Sequence, residues 1–277
     1  MAKREKLRPE LTGVPETMLW PLWNRAAESR RLDGILRDPL SVDLVRRINY
    51  RFFLKFGVPT PYLAVRARFS DELIKRYIAK NPKNPVVIAL GEGLETQFWR
   101  IGDDKVRWIS VDLPEAIDVR RKLLPESDQQ TLVACSALDS DWMDAVPEGS
   151  TPFISAAGLL MYLQEDEVRQ LLTMIIGRFP DAELFFDAIP RSFSRLSRNG
   201  VYVTRNYRAP RMPWGVSIRD LPRFARSIPG WRVALSKTYG EAFPVRTPIS
   251  SSISRLPATR GRISPSLNLL KGMGSAK

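Results

Sequence analysis

Short apolar runs alternate with amphipathic stretches through the middle of the chain. Five of these runs are bounded by turn residues and predict β-strands over Val86–Leu90, Val106–Val111, Thr131–Cys135, Phe153–Ala156 and Ala182–Phe186. The stretches between them have helical spacing and cover Glu95–Ile101, Pro114–Leu124, Trp142–Val146 and Gln164–Phe179. This alternation is typical of βαβ units, so we predict an α/β fold with a mostly parallel sheet. Its ligand crevice would lie at the carboxyl ends of the strands.

The flanking segments have different patterns. Three helical stretches come first, beginning at Glu16, running from Pro39 to Phe53, and running from Pro61 to Ile78. We therefore predict a helical cap over residues 1–80 and a core over residues 81–248. In that core, about 190–230 would cover the substrate and Trp231–Ser236 would form a late strand. Residues 249–277 are rich in Ser, Arg and Gly, and predict a flexible basic tail.

The composition excludes several classes of enzyme. The 277 residues contain no histidine and one cysteine, so Ser-His-Asp hydrolases, Cys-His proteases and the usual zinc sites are excluded, and we expect no metal. No apolar run approaches the ~18 residues of a membrane span. The charged N-terminus lacks the apolar segment of a signal peptide. We expect a cytoplasmic protein.

The net charge of +13 is unevenly distributed. Residues 191–277 contain 17 Lys and Arg but only two acids, Asp220 and Glu241. Such a segment could attract nucleic acid, anionic lipid or an acidic substrate, although a solvated surface explains it more simply. Its arginines do not follow the patterns of known nucleic-acid modules, so no specific nucleic-acid partner is expected.

A glycine turn follows the first predicted strand. Gly91 and Gly93 permit a tight turn and the close approach of a ligand. A dinucleotide fingerprint would place a third glycine near Thr96, so the pattern argues against a nicotinamide cofactor. The next strand ends at Asp112, which lies 19 residues beyond Gly93. A carboxylate there suits the two hydroxyls of a ribose, although it could also cap the helix that follows.

Several sequence blocks occur together over roughly residues 11–215. Besides the glycine turn they are Gly13–Thr17, Asn24–Ala26, Arg37–Pro39, Val65–Asp71, Phe98–Arg100, Val111–Glu115, Asp139–Trp142 and Gly158–Leu163. In these blocks and their order the chain resembles the leucine carboxyl methyltransferase superfamily, in particular its bacterial branch related to polyketide O-methyltransferases.

The resemblance implies a Rossmann-like class I methyltransferase with a seven-stranded sheet, helices on both faces and S-adenosylmethionine as cofactor. The reaction it implies is methyl transfer to a carboxyl or hydroxyl oxygen of a small, polyketide-like organic molecule. Arg66 matches the arginine that pairs with the methionine carboxylate, and Asp112 matches the ribose acid. The other matching cofactor positions are Gly91 and Gly93 in the turn, Leu113 on the adenine face, and Ser136 and Ala137 after the third strand.

Two departures from the family pattern concern carboxylates. Family members commonly have an acid just before the Gly-Leu-Leu-Met-Tyr block, near the cofactor's amino group, and here that residue is Ala157. In the turn, Glu95 stands where the family often has Asp, and Glu92 or Glu95 could compensate for Ala157. A methyltransferase-fold binding protein with weakened catalysis therefore remains an alternative, as does, further off, a nicotinamide-dependent oxidoreductase.

Substrate residues are less well indicated. Tyr162 ends the fourth-strand block and is a candidate for contact with the substrate and for a catalytic role. Tyr202, Arg205, Tyr207 and Trp214 lie in the segment predicted to cover the pocket and would suit a planar acidic substrate. A histidine-free chain favours a carboxylate acceptor, because that nucleophile is already ionised and needs no base. The acceptor and the oligomeric state remain open.

Overall fold

Helices form the first third of the chain. A computed structural model describes residues 6–254, 262 and 264–274. After a 3-10 turn at Pro15–Met18, the helices are α1 (Leu19–Ser29), α2 (Pro39–Arg47), α3 (Phe52–Phe56) and α4 (Tyr62–Lys80). The single helix predicted from Pro39 to Phe53 was wrong. The backbone is extended at Ile48, which forms a bridge with Leu7, so α2 ends before it and α3 starts anew.

Strands and helices alternate as predicted between residues 86 and 188, and further elements follow. The strands are β1 (Val86–Leu90), β2 (Arg107–Asp112), β3 (Gln130–Ala134), β4 (Phe153–Ala156), β5 (Glu183–Ala188), β6 (Val201–Thr204), β7 (Tyr207–Ala209), β8 (Trp231–Thr238) and β9 (Ser266–Gly272). The helices are α5 (Gln97–Ile101), α6 (Pro114–Leu123), α7 (Glu165–Arg178), α8 (Arg191–Leu196), α9 (Leu221–Arg226), α10 (Tyr239–Ala242) and α11 (Pro248–Ser254). The stretch predicted as a helix over Trp142–Val146 is a 3-10 turn at Asp141–Ala145.

Seven strands form one sheet in the order β3-β2-β1-β4-β5-β9-β8. Strands β1 to β5 pair in parallel, and β9 runs antiparallel to both of its neighbours. The predicted mostly parallel, seven-stranded sheet is confirmed. The strand order reverses between β1 and β4, and ligands of open α/β sheets bind at such a switch point.

Both faces of the sheet are covered. Along β1, Val86, Ile88 and Leu90 join the apolar cluster that contains the buried side of α7, whereas Val87 and Ala89 join the cluster that contains α4. Successive side chains of a strand point to opposite faces, so an all-apolar strand needs helices on both sides. A third apolar cluster joins α1, α2 and α3 to α6.

The C-terminal segment is not a flexible tail. β9 lies between β5 and β8 inside the sheet, and Leu267 and Leu270 are fully buried. The prediction of a flexible tail over 249–277 was therefore wrong. The Ser, Arg and Gly residues of the preceding polar stretch dominated the composition of this segment, and they hid the short apolar run at residues 266–270. Residues 255–261, 263 and 275–277 of that segment lie outside the described residues.

The segment over about 190–230 contains α8, a 3-10 turn at Ser197–Asn199, the β6–β7 hairpin and α9. The hairpin packs against α3 of the cap, where the Thr204 hydroxyl donates to the backbone carbonyl of Lys55 at 2.8 Å. Among the described residues, no helix is both long and apolar enough to cross a membrane.

The buried position of β9 gives a stability test. Leu270→Ala should lower the free energy of unfolding by about 2–5 kcal/mol, because it opens a cavity between the sheet and its helices. The neighbouring Lys271→Ala removes only a half-exposed ion pair with Glu183 and should lower it by about 1 kcal/mol or less. Denaturant unfolding measures both, and equal midpoints for the two variants would contradict the placement of β9 in the core.

Candidate active site

A cavity of about 800 Å³ opens at the carboxyl ends of the parallel strands. Residues of the turns that follow β1, β3 and β4 line it, as do Asp112 at the end of β2 and Asp187 in β5. Residues of the cap close its other side, among them Thr17, Met18, Trp20 and Arg66. The cavity therefore lies between the cap and the switch point of the sheet.

The glycine turn after β1 forms one wall of this cavity. Gly91 and Gly93 have φ angles of 62° and 53°, a region that side chains strongly disfavour. A Cβ atom on Gly93 would also lie 2.7 Å from the Cβ of Met18. Both conformation and packing against the cap therefore require glycine at position 93.

Asp112 fixes the turn from the neighbouring strand. Its Oδ2 accepts a hydrogen bond of 2.6 Å from the backbone N–H of Gly93, and its Oδ1 accepts one of 2.8 Å from that of Leu113. Burial raises the pKa of Asp112 above its usual value, against the effect of these two hydrogen bonds. The Asp112 side chain does not cap α6. The N-cap position of that helix is Leu113, and no side chain forms a capping hydrogen bond there. Each carboxylate oxygen keeps a further acceptor site, and Asp112 lines the cavity.

Leu113, Ser136 and Ala137 also lie where the resemblance places them, along the cavity wall. Leu113 is partly exposed, and the backbone N–H of Ser136 donates to Asp139 at 3.0 Å. The loop after β3 is thereby held in place.

Arg66 lies in the cavity wall on α4, but its partner was not predicted. Its Nη1 donates to Oδ2 of Asp187 at 3.1 Å, and both side chains are buried. Burial disfavours the guanidinium charge, yet pairing with Asp187 outweighs this and raises the pKa of Arg66. Asp71, on the same helix, does not pair with Arg66, because it binds Arg100. Asp187 could have been found from its position directly after the apolar run of β5, which parallels that of Asp112.

A buried ion network joins the cap to the glycine turn. Arg100 on α5 contacts Asp38, Asp71 and Glu95 at 3.1, 2.9 and 2.5 Å. Arg25 on α1 contacts Asp38 at 3.1 Å and Glu95 at 2.9 Å. Burial alone would raise the pKa of Asp38 and of Glu95, but Arg25 and Arg100 hold both below their usual values. The glycine turn and four other sequence blocks supply this network, which sequence reasoning had not recognised as one unit.

A separate ion pair, between Glu92 and Arg120, also holds the glycine turn. Glu92 contacts Arg120 of α6 at 3.0 Å and accepts a hydrogen bond of 3.1 Å from the Trp108 indole. Burial raises the pKa of Glu92, with Arg120 opposing that effect. Arg120 also donates to the backbone carbonyl of Gly93 at 2.5 Å. Glu92 and Glu95, the two carboxylates considered as compensation for Ala157, are therefore both engaged in holding the turn.

One end of the cavity is apolar. Its side chains belong to the apolar cluster that joins α1, α2 and α3 to α6. They are Met18, Trp20, Met161, Tyr162, Ile189, Phe193 and Met212. Tyr162 lies here as predicted, and burial raises the pKa of its hydroxyl, which is therefore protonated at neutral pH. Phe193 and Met212 come from the segment over about 190–230, so that segment does contribute to the wall.

Four other candidates do not line the cavity as the structure describes it. Tyr202 is 68% exposed on the β6–β7 hairpin, and Arg205 is exposed at its turn. Trp214 is 2% exposed and packs in the core between Phe186 and Phe224. Tyr207 packs behind the wall, with its ring 4.8 Å from that of Phe56. The structure does not bring these four side chains to the cavity wall, because residue type alone does not tell a cavity face from a core or surface face.

Residues 19–176 match the leucine carboxyl methyltransferase family. This chain belongs to that family. The O-methyltransferase TcmP of tetracenomycin polyketide synthesis in Streptomyces glaucescens is 30% identical over 260 residues, which are 90% of this chain and 94% of that one. The S-adenosyl-L-methionine-dependent methyltransferase dpfgK of Gibberella zeae is 30% identical over 220 residues, 72% of this chain and 73% of its own.

Solved structures agree on the fold of this methyltransferase. A methyltransferase-type protein from Thermobifida fusca superposes with a TM-score of 0.57 at 11% identity, covering 91% of this chain and 94% of that one. The plantazolicin methyltransferase BamL superposes with a TM-score of 0.51 at 11% identity, covering 94% and 97%. The predicted class I fold and the cofactor S-adenosylmethionine are confirmed. The family assignment replaces the nicotinamide-dependent alternative.

The ion network gives a test of what holds the turn. Arg100→Ala should lower the free energy of unfolding by about 3–5 kcal/mol, because three buried carboxylates lose their shared partner. The matched control is Arg121→Ala on α6, whose pair with Asp118 is more than half exposed and contributes at most about 1 kcal/mol. Denaturant unfolding measures both, and a loss for Arg100→Ala no larger than that for Arg121→Ala would contradict a structural role for the network.

Proposed function

We propose that this methyltransferase transfers the methyl group of S-adenosylmethionine to a carboxyl oxygen of an apolar, ring-bearing small molecule. The observation that carries this proposal is the division of the cavity into a charged end at the strands and an apolar end under the cap. The charged end would hold the cofactor and the apolar end the acceptor.

The cofactor end has the groups that this cofactor requires. Asp112 would accept hydrogen bonds from the ribose hydroxyls, and Arg66 would pair with the methionine carboxylate. Gly91 and Gly93 keep the turn free of side chains, while Leu113, Ser136 and Ala137 would border the adenine. Within the described residues, the cavity is lined by four carboxylates, Glu92, Glu95, Asp112 and Asp187, against the two guanidinium groups of Arg25 and Arg66. Glu92, Glu95 and Asp187 are also paired with Arg120, Arg100 and Arg66, which leaves Asp112 as the carboxylate of this lining without an arginine partner among the described residues.

The acceptor end favours a flat apolar molecule. Trp20, Tyr162 and Phe193 offer ring faces and edges, and Met161 and Met212 adapt to irregular shapes. The Tyr162 hydroxyl is the polar group that we propose to orient the acceptor oxygen. TcmP, a 30% identical relative, serves polyketide synthesis, which supports an acceptor of similar shape.

The choice between a carboxyl and a hydroxyl acceptor depends on the available bases. The described apolar lining contains no carboxylate, and the chain has no histidine. A phenol would have to lose its proton without a neighbouring base, whereas a carboxylic acid arrives ionised. The cofactor supplies an electrophilic methyl group, and the protein's contribution is to align the oxygen with it in a site that excludes water.

The ribose assignment can be tested by binding. Asp112→Ala should raise the dissociation constant of S-adenosylhomocysteine about ten- to hundredfold, because charge-assisted hydrogen bonds are lost and the Gly93 turn loses its acceptor. Asp118→Ala, an exposed acid on the following helix, should leave it unchanged. Titration calorimetry measures both, and unchanged affinity in a folded Asp112→Ala protein would refute the assignment.

The acceptor class can be tested by the pH dependence of methyl transfer. With ring-bearing carboxylic acids, the rate should be nearly constant between about pH 6 and about pH 8, because such acids ionise near the usual carboxyl pKa of about 4. With matched phenols, the rate would rise about tenfold per pH unit over this range, since a phenol ionises near about pH 10. Mass spectrometry of the products measures both series. Turnover of the phenols alone, with that rise, would establish a hydroxyl acceptor instead.

A further inference from the structure

The corner of the cavity beside Arg66 holds a second buried charge. Asp187 of β5 lines the cavity, as does Gly158 directly after β4. Ala157, which also lines this corner, offers a methyl group where the family resemblance would place an acid. The carboxylate of Asp187 nevertheless reaches this point, because its Oδ1 lies 2.6 Å from the backbone nitrogen of Gly158.

Among the described residues, three donors hold the Asp187 carboxylate. The backbone N–H of Gly158 donates to Oδ1, and Arg66 and the Tyr239 hydroxyl each donate to Oδ2 at 3.1 Å. An ionised carboxylate has about four acceptor sites, so one site remains, on Oδ1. The described ion pair uses one of the five N–H groups of the Arg66 guanidinium, which leaves it able to bind a second carboxylate.

A glycine makes this arrangement possible. Gly158 has a φ of 77°, and a Cβ atom there would lie 2.6 Å from Nη1 of Arg66. The chain therefore brings a buried cation and a buried anion together at the wall of one cavity. A ligand that satisfies both must carry a carboxylate and an ammonium on neighbouring atoms, which is the chemistry of an α-amino acid.

We infer that Asp187 is the binding residue for the ammonium group of the cofactor's amino-acid moiety, in the position that Ala157 leaves without a carboxylate. Arg66 takes the carboxylate of the same moiety, and Tyr239 and Gly158 keep Asp187 in place. The pair recognises the zwitterion as a unit. This inference rests on the proposed cofactor site. It adds the residue that would distinguish an amino acid from a carboxylic acid without an ammonium group.

The test compares two ligands that differ only in the ammonium. S-adenosylhomocysteine and its deaminated analogue, which has hydrogen in place of the amino group, are titrated by calorimetry into the full-length protein. The wild type should bind S-adenosylhomocysteine about ten- to hundredfold more tightly than the analogue. In Asp187→Asn, which keeps the volume but removes the charge, this ratio should fall to about threefold or less.

The control is Asp118→Asn, which removes a carboxylate charge from an exposed position on α6 outside the cavity wall, and which should retain the wild-type ratio. Equal affinities in the wild type, or a wild-type ratio retained in Asp187→Asn, would overturn the inference. If the Asp187→Asn protein shows no cooperative unfolding transition, and is therefore not folded, Asp187→Glu is measured instead. That variant displaces the carboxylate by one methylene and should reduce the ratio at least about threefold, and an unchanged ratio overturns the inference.

The two proposals fail differently. If a folded wild-type protein binds neither nucleoside, the proposed cofactor site itself is wrong. If it binds both equally well, the cofactor site stands and only the role of Asp187 is refuted.

Discussion

The arrangement of the active site depends on the buried ion pairs around Glu95. Arg25 of the cap and Arg100 of the first crossover helix share Asp38 and Glu95, so the cap, the glycine turn and α5 are held by one set of charges. Buried charges are unfavourable unless each has its partners in good geometry, which makes such a network sensitive to position. It therefore fixes the distance between the cap and the sheet, and with it the width of the cavity.

The same cavity combines two environments that serve different molecules. Near the strand ends, buried carboxylates and arginines satisfy one another while keeping acceptor and donor sites directed to the cavity. Under the cap, methionine and aromatic side chains provide a surface that, in the described part of the chain, contains no base. A sulfonium is already electrophilic, so a site of this kind needs position and exclusion of water more than proton transfer. This agrees with a chain that has no histidine.

The sequence allowed the fold and the family to be predicted because βα alternation and the glycine turn are local patterns. Asp112 and Arg66 were placed at the cavity for the same reason, since each lies within a recognisable block. Asp187, β9 and the ion network required long-range information: Arg66 and Asp187 are 121 residues apart in sequence. Trp214 and Tyr202 lie away from the cavity, because an aromatic residue in a segment near a pocket can equally pack in the core or face solvent.

The position of β9 between β5 and β8 has a consequence for the order of assembly during translation. The ribosome produces β5 and β8 before residues 266–272, and until then β5 is paired only with β4 and β8 lacks its neighbour in the sheet. The edge of β5, with its buried Phe185 and Phe186, remains open for pairing with other chains during that interval. Completion of this sheet therefore waits until residues 266–272 have left the ribosome, so the central part of the fold can form only after almost all of the described residues have been synthesised.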